Sequence, residues 1–428
     1  MGISSALYSG VSGLNTNSQA MSVIGNNLAN TNTLGFKSSR TVFSDLLSSQ
    51  INGSGGLSQV GRGVGMSKVD NIFSQGTFES TESNLDVAIE GDGFFVLKEE
   101  GNDTKFYSRA GAFRFDEDGF LTNPEGYRVQ GKQFNPDGTL KAGDATDIQV
   151  RSTGLIAGNA TTTLTLNTNL DATEPIKAMA AFDITDADTF NYSSSVQVFD
   201  TLGNPHLLTT YFIKTADNTW NWAWSAKQDN GTVIQDVGTN PLTFTADGIL
   251  TNAALDPPQD TTAIIPTDTV GGTALDWANG TTVTPITITF DTTQFNSRSV
   301  VISQDQNGYG AGNLSGVEID QDGVVVASYS NGEQTKIAQI SLAKFINPNG
   351  LSLAGSNLYT ETGLSGPPRT GLPGPELGKV FTNSLEQSNV DMGAEFVKMI
   401  TVQRGFQANS KIITTVDELL GELINLKR

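Results

Sequence analysis

VDMGAEFVKMITVQRGFQANSKIITTVDELLGELINL, residues 390–426, is the stretch around which the rest of the chain is organised. Apolar residues recur every seven positions at Met392, Met399, Phe406, Ile413 and Leu420. Phe396, Val402, Val416 and Leu423 each fall three or four positions after one of them. An apolar stripe kept at this period fits a long helix that buries one narrow seam against other helices. Glu395, Lys398, Gln403, Arg404, Lys411, Asp417 and Glu422 fill the remaining positions and suit water. Ser388 with Asp391 offers a capping box at the start. Such a helix would run on the order of 50 Å at about 1.5 Å per residue. Gly393, Gly405 and Gly421 each cost about 1 kcal/mol relative to alanine, so the helix needs a partner to complete it.

The other end of the chain mirrors this pattern. Leu7, Leu14, Met21 and Leu28 share the heptad spacing, with Ile3, Val11 and Ile24 beside them. Between them stand Ser, Asn, Gly and Thr, and residues 1–40 contain no acid and only two bases, Lys37 and Arg40. Exposed helices normally carry Lys and Glu, so an uncharged back is one that other helices can cover cheaply. Both ends therefore read as seam-forming helices whose partners are each other and copies from other subunits.

Composition removes most catalytic classes. The 428 residues include no cysteine and one histidine, His206, which excludes disulfides, thiolate metal sites and two-imidazole chemistry. No cofactor is expected. The net charge of −20 argues against nucleic-acid binding. Half of that charge lies in residues 151–304, which hold fifteen acids and five bases. No apolar run approaches the roughly 20 residues needed to span a bilayer, so no membrane insertion is expected. The start, MGISSALYSG, lacks the basic and apolar regions of a cleavable signal, so export without one is expected.

Residues 35–70 are rich in Ser, Asn and Gly with isolated apolar anchors at Phe36, Phe43, Leu46 and Leu47. From about Val69 the period changes to two, with LDVAIEGDGFFVL and FYSRAGAFRFDEDGFLTNPEGYRVQG broken by Asp-Gly and Glu-Gly turns. The acidic turns at Asp116–Gly119 and Asp320–Gly323 have the glycine at the wrong offset for a calcium loop and read as hairpin turns. GRGVG at Gly61–Gly65 lacks the spacing of a phosphate loop. Residues 151–303 hold all four tryptophans, three of them alternating in WNWAWS at Trp220, Trp222 and Trp224, as on one wall of a β core. This block reads as an insertion, because the earlier strand pattern resumes at SGVEIDQDGVVVASYSNG.

The expected fold class is multidomain α+β, with coiled-coil-forming terminal helices plus nested, mostly antiparallel β domains. Its parts are paired terminal helices over 1–34 and 386–428, an extended linker over 35–70 and 366–385, an inner β domain over 71–150 and 304–365, and an inserted outer β domain over 151–303.

Several motifs carry a family resemblance. GNNLANTNTLGFKSSR at 25–40, with Asn26, Asn27, Asn30, Gly35, Phe36 and Lys37 as its motif positions, resembles the signature of the bacterial flagellar rod and hook axial proteins. DVAIEGDGFF at 86–95, SRAGAFRFDEDGFL at 108–121 and the tail from Ser388 are similar to the same family. The large insertion, with SSSVQVFDTLGNPHLLTTYFIKT at 193–215 and IAQISLAKFINPNGLS at 337–352, resembles the hook branch rather than the shorter distal rod branch. The resemblance implies a structural subunit that polymerises into the hollow, curved hook and passes torque from rod to filament. It also implies export through the flagellar type III apparatus, a location outside the cell, and the distal rod protein, hook cap and hook-filament junction proteins as partners. The alternatives are another axial component or a secreted carbohydrate-binding β protein using Trp220, Trp222 and Trp224 as platform and Asp186 with Asp188 as acid and base.

Overall fold

In the computed structural model the described residues are 2–46, 49–53, 56–150, 155–237, 241–251, 262–265, 275–282 and 284–426. The chain divides into two compact units: unit 1 is 1–152, 317–327 and 335–428, and unit 2 is 153–316 and 328–334.

Unit 1 carries the two long helices, α1 (Gly2–Ala29) and α2 (Met392–Leu426). Its β part grows from the run FFVLK, the strand Phe94–Lys98. That strand pairs antiparallel with Lys105–Ser108, Arg128–Gln133 and Leu342–Lys344. Every residue from Phe94 to Leu97 is buried, because both faces of the sheet are covered. Phe95 and Leu97 join Val87, Ile89, Leu121, Val129 and Ile340 on one side. Phe94 and Val96 join Tyr107, Phe345 and Tyr359 on the other.

Two sheets carry most of the described strands of unit 2. Tyr192–Phe199, Pro205–Ala216, Thr219–Lys227 and Val233–Val237 follow one another as an antiparallel meander. In the second sheet Thr163–Asp171 is flanked by Ile286–Phe295, running parallel to it, and by Val300–Gln306, running antiparallel. Trp220, Trp222 and Trp224 form one cluster with Leu164, Leu166, Phe212, Trp277 and Phe290. Trp220 Nε1 donates to Gln294 Oε1 at 3.0 Å, so its polar atom is satisfied. On the opposite face of the meander, Tyr211, Ile213 and Ala223 are covered by Met179, Phe182, Ile184 and Phe190.

Asp200 fastens one rim of unit 2. Its Oδ2 accepts from Asn204 Nδ2 at 2.9 Å and Asn279 Nδ2 at 2.7 Å, with His206 Nε2 3.2 Å away. His206 stacks on Trp277 with ring centroids 4.0 Å apart. The lone histidine therefore ties two loops together through its ring face and Nε2, with Nδ1 3.6 Å from Asp229 Oδ1.

Several expectations about detail are corrected. Residues 35–70 are not a plain linker: Ser39–Asp45 pairs antiparallel with Val64–Asn71, and Ser49–Gly53 with Gly56–Val60. Arg40 meets Asp70 across the first ladder, and Lys68 meets it along the same strand. Its mostly exposed strands leave no alternation of apolar residues to read. Residues 366–385 are woven into unit 1, with Arg369–Gly371 on Leu342–Lys344 and Lys379–Thr382 on Val87–Glu90. The C-terminal helix begins at Met392 rather than 386, because Ser384–Glu386 is a strand on Phe78–Ser80 and Asp391 is the cap. The expected boundary at 151 and the anchor Leu47 lie outside the described residues. One long parallel ladder, Thr163–Asp171 with Ile286–Phe295, stands beside the antiparallel pairings named above.

Candidate assembly interface

The residues that bring the helices together are small. Asp391 Oδ1 accepts from Ala394 N at 3.0 Å and starts α2, while Ser388 lies outside the cap. Along α1 the buried positions are Gly10, Gly13, Thr16, Ala20, Ile24 and Asn27, a helical stripe of mostly small side chains. On α2 the facing positions are Glu395, Met399, Val402, Gly405, Asn409, Ile413 and Val416, which are buried or half-buried. A Cβ on Gly10 would lie 3.1 Å from Ile413 Cγ1, and one on Gly13 would lie 2.6 Å from Asn409 Nδ2. A Cβ on Gly405 would lie 3.2 Å from Asn17 Oδ1. These glycines set the closeness of the helices, which offsets their helical cost. Gly25 and Gly421 meet nothing within 4 Å.

Within the expected seam, Ile24 and Val416 are buried. Leu7, Leu14, Met21, Leu28, Met399 and Ile413 are half-buried. Val11, Met392, Phe396, Phe406 and Leu420 are exposed. The side chain of Leu423 lies outside those described. The heptad reading therefore merged two surfaces of α2. One faces α1. The other leaves Met392, Phe396 and Ile400, spaced i, i+4, i+8, open to solvent at 50–55% exposure. Ile412 and Leu419 are a second exposed pair, at 44% and 49%. On the flank between the helices, Met21 and Phe406 line a shallow groove with Asn17, Ser18, Gln403 and Gln407.

The motif residues after α1 are structural locks. Asn26 is exposed, and its carbonyl accepts from Asn30 N and Nδ2, which closes the helix C-terminus. Asn27 is 1% exposed, and its amide exchanges hydrogen bonds with Ser39 N at 2.9 Å and Ser39 O at 2.8 Å. The same Nδ2 reaches Glu395 Oε2 at 3.2 Å, and Glu395 Oε1 accepts from Lys398 at 2.6 Å. Gly35 sits at φ +65, where a Cβ would lie 2.6 Å from Ala110 N, so this turn requires glycine. Its N–H donates to Glu386 O at 2.8 Å, and Phe36 O accepts from Asn389 N at 3.4 Å.

Lys37 enters a buried ion cluster. Its Nζ donates to Glu386 Oε1 at 2.6 Å and to Ser74 O at 2.8 Å, with both charged side chains fully buried. Glu386 Oε1 also accepts from Gly76 N at 2.8 Å. Arg109 NH1 stands 3.6 Å from Glu386 Oε2, and Arg109 NH2 donates to Gly91 O at 2.6 Å above the Phe94 ring. Burial pushes the Lys37 ammonium and the Arg109 guanidinium below their ordinary ranges, and the Glu386 carboxylate opposes both shifts. One anion near the end of the sequence thus holds two cations from its first third. Sequence reasoning selected Lys37 but missed Glu386. Arg109 lay inside a quoted motif without a role. Local sequence carries no signal for Glu386 or Arg109, whose neighbours in SLEQ and SRAG are mostly polar or small.

The carbohydrate platform is removed, because Trp220, Trp222 and Trp224 are at most 2% exposed. Asp186 instead caps a single helical turn by accepting from Asp188 N. Asp116 and Asp320 accept backbone N–H groups within their own turns.

Comparison with known proteins agrees with this layout. Residues 7–37 match the flagella basal body rod protein family, and 88–158 match the flagellar hook protein FlgE/F/G D1 domain. Residues 169–309 match the flagellar basal body protein FlaE D2 domain, and 382–426 match the flagellar basal body rod FlgEFG protein C-terminal family. The chain is 35% identical to the flagellar hook protein FlgE of Salmonella typhimurium, covering 97% of this chain and 98% of that one. It is 35% identical to that of Escherichia coli over 99% and 100%, and 36% identical to that of Borreliella burgdorferi over 99% of each. The crystal structure of Helicobacter pylori flagellar hook protein FlgE2 shares the fold, with a TM-score of 0.52 at 18% identity over 72% of this chain and 99% of that one. This chain belongs to the flagellar hook protein family.

Proposed function

We propose that the chain is a structural subunit of the bacterial flagellar hook, polymerising into a hollow curved tube that passes torque from rod to filament. The observation that carries this reading is the division of α2 into two apolar surfaces. One is filled by α1, while Met392, Phe396 and Ile400 remain half-exposed on a rigid helix. Contiguous exposed apolar area on an ordered element is costly for a monomer and expected of a subunit.

In this reading the paired helices line the tube and the β units form its outer layers. Of the expected seam, the outward residues of both helices meet neighbouring copies in this reading, and the inward residues set the helix pair. The Lys37, Glu386 and Arg109 cluster holds the two chain ends to the β part while neighbours shift against one another. Identical copies are the main partner. The distal rod protein, hook cap, hook-filament junction proteins and the type III export apparatus are the others, and the assembled tube lies outside the cell.

Electron microscopy under polymerising conditions tests the reading, comparing the full chain with one lacking residues 390–428. Tubes from the full chain and none from the shortened one are expected. Compact monomers from both, or tubes from both, would overturn it.

A further inference from the structure

We infer that an apolar knob on unit 1 of one copy seats in a proline-lined cleft on unit 1 of a second copy. The inference rests on the polymer reading above and supplies one of its contacts.

Ile346 and Leu364 form the knob. At 81% and 80% exposure they are the most exposed large apolar side chains among the described residues. Their loops are held rather than loose. Asn347 Nδ2 donates to Leu364 O at 3.0 Å, and Thr362 Oγ1 donates to Gly350 O at 2.5 Å. Ser365, 1% exposed, accepts from Thr362 N at 3.0 Å and donates to Thr362 O at 2.9 Å. A Cβ on Gly350 would lie 2.5 Å from Ser365 N, so the two loops are in backbone contact. An apolar pair fixed in water gains nothing for a monomer, and its docking loses little conformational entropy.

The cleft has a volume of about 540 Å³ and is lined by Gln321, Asp322, Pro373, Pro375, Val380 and Phe381. Its wall is also fixed. Gly374 and Gly378 exchange two backbone hydrogen bonds at 2.8 and 2.9 Å, and Phe381 stacks on Phe78 at 5.4 Å.

The ladder between them decides the occupant. In the antiparallel pair Leu342–Lys344 with Arg369–Gly371, Lys344 pairs with Arg369 and Leu342 with Gly371. Ile346 and Leu364 follow from the Lys344 end, whereas Pro373 and Pro375 follow from the Gly371 end. The knob and the Gln321, Pro373 and Val380 side of the cleft therefore lie toward opposite ends of this ladder, which favours a second copy as the occupant. Joining copies knob to cleft is a heterologous contact, which repeats into an open helical array instead of closing on a two-fold axis. Glu361 flanks the knob, and the cleft rim offers Lys379 and Asp322. The register that sets Glu361 on Lys379 is favoured, and one that meets Asp322 is penalised.

The absence of cysteine makes the test clean. Two double variants, Leu364→Cys with Gln321→Cys and Ile346→Cys with Thr382→Cys, are assembled into tubes and treated with a bismaleimide. Denaturing gels are expected to show a ladder of dimers, trimers and longer species from a double variant, and none from any single variant. Normal tubes that yield only monomer from both pairs would overturn the contact and leave the polymer reading standing. A ladder from a single variant would overturn it as well. Separately, Leu364→Asp is expected to raise the concentration needed for tube formation about tenfold, as loss of a central anchor does, with thermal melting unchanged. An unchanged concentration overturns the contact. Failure of the unmodified chain to form tubes overturns the polymer reading itself.

Discussion

Trp222, at 1% exposure, and Phe396, at 52%, are both large apolar residues in regular elements, yet their surroundings differ completely. Trp222 lies inside a cluster of eighteen buried residues that unit 2 assembles from its own chain. Phe396 lies on a helix whose other face is already filled by α1. The tryptophan cluster of unit 2 is closed by residues of its own chain. The helix pair is finished on one side only, and that difference separates folding from assembly within one chain.

Breaking the finished region should give the largest effect. Trp222→Ala leaves a cavity among Phe212, Phe290 and Leu164 and should cost about 3–5 kcal/mol, read as a lowered denaturant midpoint for unit 2 with α-helical signal retained. Glu386→Gln attacks the link between the β part and the helices. It leaves Lys37 and Arg109 buried without their anion and should cost about 3 kcal/mol of unit 1 stability in the same measurement.

A pH titration sharpens the comparison further. Burial would raise the Asp200 carboxyl, but hydrogen bonds from Asn204, His206 and Asn279 outweigh it and hold the group well below the usual carboxylate range. A depressed folded value means stability present above the unfolded value and lost as pH falls below it. Unit 2 should therefore weaken as pH drops below about 4. Asp200→Asn should flatten that dependence in acid denaturation curves. The effect is smaller than cavity formation, because protonation removes the charge and leaves several neighbouring hydrogen bonds in place.

The extent to which the sequence was legible follows the same division. Alternation in WNWAWS placed Trp220, Trp222 and Trp224 on one buried face, because β periodicity is read directly from bulky residues. The heptads located both helices for the same reason. They did not identify the contact between them, which runs along Gly10, Gly13, Thr16 and Ala20, residues that carry no apolar signal. The Lys37 and Glu386 pair, joined from opposite ends of the sequence, and the parallel ladder of Thr163–Asp171 with Ile286–Phe295 come from long-range closure, which local pattern does not encode. The polar ladder of Ser39–Asp45 with Val64–Asn71 was invisible because its strands bury little.

Glycine substitutions give the finest comparison. Gly13→Ala presses a methyl group on Asn409 and should weaken the helix pair, whereas Gly25→Ala meets nothing and should strengthen α1 by about 1 kcal/mol. Melting followed by the helical circular dichroism signal should move in opposite directions for the two.

The central claim is that α2 has an inward face for folding and an outward face for assembly. The most direct test is the tube yield of Phe396→Ser with Ile400→Ser, measured beside Val416→Ser. The outward pair should abolish tubes while helix content and melting stay at the level of the unmodified chain, and Val416→Ser should lower helix content. Tubes at full yield from the outward pair, or a loss of helix equal to that of Val416→Ser, would contradict the account.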